Sequence, residues 1–278
     1  MFDIETIKKI RISVLEMITR ARSSHIGSAF SIIEILYLLY FHILKIDHLN
    51  PSMEERDRFI LSKAHASSAL YATLAHRGFF PLELLDTYML NNGALPAHLD
   101  MTVAPGLEIS AGSLGHGLPI GLGMAIAANK KAGKNSSKVF VLISDGELNE
   151  GSVWEAIMLA ASLKLSQLKL IVDYNKIQSF GLTNEIIDQT NMAERFRAFG
   201  WEAIEVHGHD LNQIYQALNS VSDKPLAIVA NTVKGCGVSF MENKLAWHYK
   251  SPNEDEFIRA KEEILSLTID SLAEKLYA

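Results

Sequence analysis

The chain has 278 residues, of which 48% are hydrophobic and 21% charged, and a formal net charge of -6. That composition excludes a wholly disordered polymer, and at this length folding buries about three quarters of the unfolded surface without disulfide staples. The mild acidity leaves no electrostatic footprint for nucleic acid or an anionic membrane, and the lone Cys236 excludes an internal disulfide and a cysteine-rich zinc site.

Residues 1–10 mix acids and lysines and lack the apolar core of a signal peptide. No run of about 18 apolar residues is present to span a membrane, so a cytoplasmic location is expected. Residues 4–22 carry helical spacing at Ile4, Ile7, Ile10, Leu15 and Ile18, and residues 31–44 read as a buried helix. Phe59-Ile60-Leu61 reads as the end of a strand. A glycine cluster at 111–118 opens a small-residue helix over 124–129. Residues 138–143 (KVFVLI), 170–173 (LIVD) and 226–231 (LAIVAN) are short, β-branched and continuously apolar, as strands of a parallel sheet covered on both faces must be. Residues 201–206 are a fourth candidate. Helical patterns occupy 151–163, 191–199 and 211–220. The alternation predicts an α/β fold: a doubly wound, mostly parallel sheet with helices on both faces, in one domain over residues 1–278, with no repeat and no linker.

Ligands of such sheets sit outside the carboxyl ends of the strands. Those positions hold Ser144-Asp145-Gly146, Tyr174-Asn175-Lys176 and Thr232-Val233-Lys234-Gly235. Asp145 and Asn175 offer hard oxygen donors suited to Mg²⁺ or Ca²⁺. One carboxylate and one amide make an incomplete cage, which phosphate oxygens normally finish, so the pair points to a phosphorylated cofactor approaching Gly146. An isolated Asp-Gly is ordinarily a turn. Four of the ten histidines stand in telling places. His25 lies in a break between helical patterns, His65 follows the Phe59–Leu61 run, His98 lies in a loop, and His248 lies beyond the last strand. Imidazoles there can meet phosphate or sugar oxygens and move protons near neutral pH.

Residues 144–151 (SDGELNEG), Glu155-Ala156 and Asn175-Lys176-Ile177 together resemble the thiamine-diphosphate motif of the transketolase family, with Ser144 where the family usually has Gly. The resemblance implies thiamine diphosphate and Mg²⁺ (or Ca²⁺ or Mn²⁺ in its place) as cofactors. Asp145 and Asn175 would then bind the metal by their side chains and Ile177 by its carbonyl, while Gly146 approaches the diphosphate. Glu150 matches an acid at the subunit interface near the paired active sites. Residues 111–118 (AGSLGHGL) resemble the family segment in which Gly112 and Leu114 flank the cofactor; His116 replaces a common Gln and receives no catalytic role. By the same likeness His65 lies beside the diphosphate and His25 near the reacting carbons. His98 would contact the donor, although Ala97 and Leu99 replace the usual flanks. His248 would lie near both diphosphate and substrate. His25, His98, His248 and Glu150 are thus the catalytic candidates, and His65, Gly112, Leu114, Gly146, Asn175 and His248 the cofactor-binding ones. Arg56-Asp57-Arg58-Phe59 also matches the family and reads as an ion pair at a strand entry.

The resemblance reaches from residue 5 to residue 255 but covers only the first of the family's three domains. The pyrimidine-binding domain, with the glutamate that activates the cofactor, and the C-terminal domain are expected on a separate chain, giving an α₂β₂ assembly. The implied activity is transfer of a two-carbon ketol unit from a ketose phosphate to an aldose phosphate. Two other readings remain open here. One is a two-subunit thiamine-diphosphate enzyme acting on a modified sugar or a 2-oxo acid. The other is a non-catalytic binding or regulatory subunit.

Overall fold

The apolar runs assemble into one sheet. A computed structural model describes residues 2–132 and 137–275. In chain order the elements are α1 (Ile4–Ala21), α2 (Ile26–Phe30), α3 (Ile33–Leu38), β1 (Arg58–Leu61), α4 (Ser67–Arg77), α5 (Gly117–Ala132), β2 (Val139–Ser144) and α6 (Gly151–Ser162). There follow β3 (Leu168–Tyr174), α7 (Thr183–Ile186), α8 (Met192–Ala198), β4 (Glu202–His207), α9 (Leu211–Asn219), β5 (Leu226–Asn231), α10 (Glu254–Ser266) and α11 (Ile269–Ala273). The five strands are all parallel, in the order β1-β2-β3-β5-β4.

Every residue of β2 and β3 is buried, because both faces are covered. Phe140 and Leu142 point into a core shared with α1, α3, α4, α9 and α10. Val139, Val141 and Ile143 point into a second core with α5, α6 and α8. This is why the strands read as continuous rather than alternating apolar runs. The register sets Ser144 opposite Asp173 and Asp173 opposite Ala230, so that the segments after β2, β3 and β5 emerge side by side.

Two expectations needed revision. The predicted helix over 31–44 is α3 followed by a wider, π-type turn, Leu39–Ile43. The widened turn frees the Tyr40 carbonyl, which accepts from Arg77 Nε at 3.0 Å. The helix expected at 124–129 begins inside the glycine cluster, at Gly117; Pro119 sits in its first turn, where no backbone N–H is needed. The ion pair at the strand entry takes its acid from outside the 56–59 segment, Arg56 pairing with Glu108. Asp57 instead accepts the backbone N–H of Lys45 at 2.9 Å and of Lys138 at 2.8 Å, which ties the entries of β1 and β2 together. No helix among the described residues is long and apolar enough to cross a membrane.

Candidate active site

At the carboxyl edge of β1, β2, β3 and β5 lies a cavity of about 440 Å³. His25, His65, His98, Gly112, Leu114, Asp145, Gly146, Glu150, Asn175, Ile177 and His248 all line it, so the structure brings every candidate residue to one place. Two larger hollows, of about 800 and 770 Å³, lie elsewhere and contain none of them.

Each side chain arrives by a local device. Asp145 follows β2 directly; its Oδ1 accepts the Gly146 N–H at 2.8 Å and its Oδ2 the Thr183 hydroxyl at 2.7 Å. A Cβ on Gly146 would come within 3.3 Å of the Gln178 side chain, which would have to shift to admit it. Asn175 follows β3; its Oδ1 accepts the Ile177 N–H at 3.1 Å and its Nδ2 donates to Asp173 at 3.0 Å. Glu150 opens α6 and is exposed at the rim, as is His98. The glycine loop is bound to the sheet by buried Glu147, whose carboxylate accepts the Gly115 N–H at 2.8 Å and the Ser62 hydroxyl. Ser62 Oγ in turn accepts the Gly117 N–H at 2.9 Å; a Cβ at Gly117 would lie 2.3 Å from that oxygen, so the helix can start there only with glycine.

The histidines form a triangle. Ring centroids are 5.2 Å apart for His25 and His65, 4.9 Å for His25 and His248, and 5.8 Å for His65 and His248. His25 holds a left-handed backbone, φ 74°, and its N–H donates to the His248 carbonyl at 2.9 Å. Ser24 Oγ lies 2.9 Å from His25 Nδ1, which leaves Nε2 as the free ring nitrogen. Burial, reinforced by His98, Lys234 and Lys63, lowers the His25 pKa to about 4. Burial and then Lys234 lower that of His248 to about 3, and burial and Lys63 hold His65 well below its ordinary range. All three rings are neutral at pH 7. In the unfolded chain they protonate near 6.5, so their stabilisation of the fold is complete above that pH and is lost as pH falls toward 4 and 3. Urea unfolding of the cofactor-free chain is therefore expected to give lower stability at pH 5 than at pH 7.5. His248→Asn should shrink the difference; an equal drop in both proteins would contradict the assignment.

Two buried lysines went unassigned in the sequence. Lys63 pairs with Asp173 and donates to the Ser28 carbonyl at 3.0 Å. Burial alone would raise the Asp173 pKa, but Lys63, Thr232 and Ser31 hold it below 3.8. Lys234 is 1% exposed, and its ammonium meets only neutral partners: the Ile177 carbonyl at 2.8 Å, the Gln178 carbonyl at 3.3 Å and His248 Nδ1 at 3.0 Å. Burial and Lys63, opposed by the Asp145 and Asp173 carboxylates, lower its pKa to about 8. With Nδ1 accepting from the ammonium, the His248 proton sits on Nε2. Asp145 and Asp173 act on the ammonium from a distance but neither is among its hydrogen-bond partners, so an anion entering the cavity would complete its surroundings.

The oxygen set also fits a divalent cation. Asp145 supplies a carboxylate, Asn175 an amide oxygen and Ile177 a carbonyl, which has a second lone pair besides the one that meets the Lys234 ammonium. Burial, with Asp173 close by and opposed by the Thr183 hydrogen bond, raises the Asp145 pKa above 3.8. A carboxylate held this way gains most from a metal ion. Oxygen-only donors suit Mg²⁺ or Ca²⁺.

The chain is similar to known proteins over most of its length. The family model described as transketolase, thiamine diphosphate binding domain, matches residues 2–269. A 6-deoxy-6-sulfo-D-fructose transketolase subunit from Clostridium sp. (strain MSTE9) is 41% identical over 258 residues, 92% of this chain and 93% of that one. A subunit of an apulose-4-phosphate transketolase from Actinobacillus succinogenes is 42% identical over 242 residues, 86% of this chain and 87% of that one. The crystal structure of a transketolase from Campylobacter jejuni superposes with a TM-score of 0.88 at 30% identity, covering 96% of this chain but only 44% of that one.

Proposed function

The chain belongs to the transketolase family, as its thiamine-diphosphate-binding domain, and from that premise we propose that it is the diphosphate- and metal-holding subunit of a two-chain transketolase. The whole chain would act as one such domain. The observation that carries this reading is the convergence of the eleven candidate residues on one cavity at the strand ends. Thiamine diphosphate, when bound, supplies the electron sink for breaking and making a carbon–carbon bond. Asp145, Asn175 and the Ile177 carbonyl hold Mg²⁺. His65 and Lys234 hold the diphosphate, and Gly112 and Leu114 border the cofactor. The neutral rings of His25, His98 and His248 hydrogen-bond the carbonyl and hydroxyl oxygens of the sugar, and His248 Nε2–H is placed to donate to a developing oxyanion.

The reaction is transfer of a two-carbon ketol unit between sugar phosphates. The partner carries the activating glutamate, and two copies of each chain form α₂β₂. Exposed apolar side chains support a partner: Met158 and Leu159 lie on α6, which starts at the cavity rim, Leu163 follows its last turn, and Phe180, 72% exposed, stands at the cavity mouth. The two subunit relatives named above act on modified sugars, which favours a donor of that class over an ordinary pentose phosphate. A screen on the complex isolated through a tag on this chain tests the reading. Xylulose 5-phosphate, apulose 4-phosphate, a 6-sulfo ketose and pyruvate are offered with one aldose phosphate acceptor. Cleavage of a ketose with two-carbon transfer is expected. Consumption of pyruvate alone would move the protein to 2-oxo acid chemistry, cofactor binding without any turnover would point to a different sugar, and no cofactor binding would leave a regulatory subunit.

A further inference from the structure

The loop after β5 delivers Lys234 to the cavity, and the residues on either side of it are gripped by a buried network that does not line the cavity. Arg11, in the middle of α1, and Glu34, in α3, are fully buried. Arg11 Nη2 donates to Glu34 Oε1 at 2.5 Å, and Nη1 donates to the carbonyls of Cys236 at 2.8 Å and Phe30 at 3.1 Å. Glu34 Oε2 lies 2.8 Å from His209 Nδ1, and His209 Nε2 accepts the Val233 N–H at 2.8 Å. Between these two anchors Gly235 N–H donates to the Gly27 carbonyl at 2.9 Å, in α2, the helix that His25 precedes.

Glu34, His209 and Cys236 are metal-ligand types, with ligand atoms within 4.8 Å of one another. Yet both carboxylate oxygens and both ring nitrogens already have protein partners, and the Arg11 guanidinium supplies the positive charge. Against burial, the Cys236 and Glu34 side chains raise the His209 pKa to about 10; the Val233 N–H aimed at Nε2 nevertheless requires a lone pair there, so the geometry places the ring proton on Nδ1 alone. A buried ion pair of this kind adds little net stability over an apolar core; what it does supply is geometry.

We propose that Arg11, Glu34 and His209 are positioning residues for the cofactor site, holding the backbone of residues 233–236 so that the Lys234 ammonium stays against the Ile177 carbonyl and His248. The inference rests on the reading that this cavity binds thiamine diphosphate. It is tested by titrating thiamine diphosphate into the assembled two-chain complex at saturating Mg²⁺. His209→Ala should weaken binding about ten- to hundredfold, as removal of groups that orient ligands commonly does. His209→Gln keeps an acceptor for Val233 and a donor for Glu34, and should restore most of the affinity. In a Lys234→Met background, His209→Ala should cost less than about twofold more, because both changes remove the same interaction. Unchanged affinity in His209→Ala, or the same loss with and without Lys234, would overturn the proposal. If His209→Ala does not fold, Glu34→Gln, equal in volume, takes its place with the same outcomes. Failure of the unmutated complex to bind thiamine diphosphate would refute the reading of the cavity itself.

Discussion

Asp145→Asn should abolish cofactor-dependent turnover and at the same time raise the melting temperature of the cofactor-free chain. Asp145 supplies the only carboxylate among the three groups assigned to the metal, and its loss should lower metal-supported cofactor affinity and kcat/KM by at least about a hundredfold. The gain in stability has a separate cause. Asp145 is 2% exposed and its pKa is raised by burial and by Asp173. A carboxyl group that ionises less readily when folded costs stability as pH rises from 3.8 through its folded pKa, and the cost persists at neutral pH. Asparagine removes the charge and can keep the hydrogen bond from Gly146, with its amide turned to the Thr183 hydroxyl. The melting-temperature advantage should be largest near pH 7 and shrink as pH falls toward 3.8. Thermal melts of both proteins without metal or cofactor check this. A variant that melts at or below the parent at pH 7 would show that Asp145 is not held at a cost for its ligand.

His25→Asn should lower kcat by about 10²–10⁴ while changing cofactor affinity little, because it removes a group placed to exchange a proton with the substrate. The choice of asparagine follows from the backbone. His25 sits at φ 74°, a left-handed conformation that asparagine accepts more readily than alanine. His25→Ala should therefore lose the same activity and be less stable than His25→Asn. Steady-state kinetics and urea unfolding of the two variants separate the effects. Near-full kcat in His25→Asn would remove the imidazole from the chemistry.

The two faces of the sheet explain what could be read directly from the residues. The run at 226–231 coincides with β5 because nothing polar interrupts it before Asn231. By contrast, β3 begins two residues earlier than its apolar run, at Leu168, because Lys169 breaks the pattern. The Lys169 ammonium reaches past the sheet to the carbonyls of Leu218 at 2.5 Å and Ser220 at 2.8 Å, so a polar residue can occupy a fully covered strand. Helix α4 was invisible to periodicity because every residue from Ser67 to Ala75 is buried, leaving no polar face to alternate with the apolar one. The site was legible where chemistry follows a strand end, as at Asp145 and Asn175. The buried ion pair of Lys63 with Asp173 was not, since its members lie 110 residues apart. Glu147, which locks the glycine loop, stood inside the motif at 144–151 with only its neighbours assigned. A lysine set directly after a buried strand is the signal that could have exposed Lys63, and a lysine between Val233 and Gly235 could have exposed Lys234.

The central claim is that this chain supplies the metal and diphosphate half of a ketol-transferring site and needs a second chain to act. Two-carbon transfer from a labelled ketose phosphate to an aldose phosphate tests it most directly. The assay is run with Mg²⁺ and thiamine diphosphate on the purified chain, on its purified partner, and on the two recombined. Transfer by the recombined pair alone, lost with Asp145→Asn, is the predicted result. Full turnover by the chain without its partner, or turnover by the pair that survives Asp145→Asn, would contradict it.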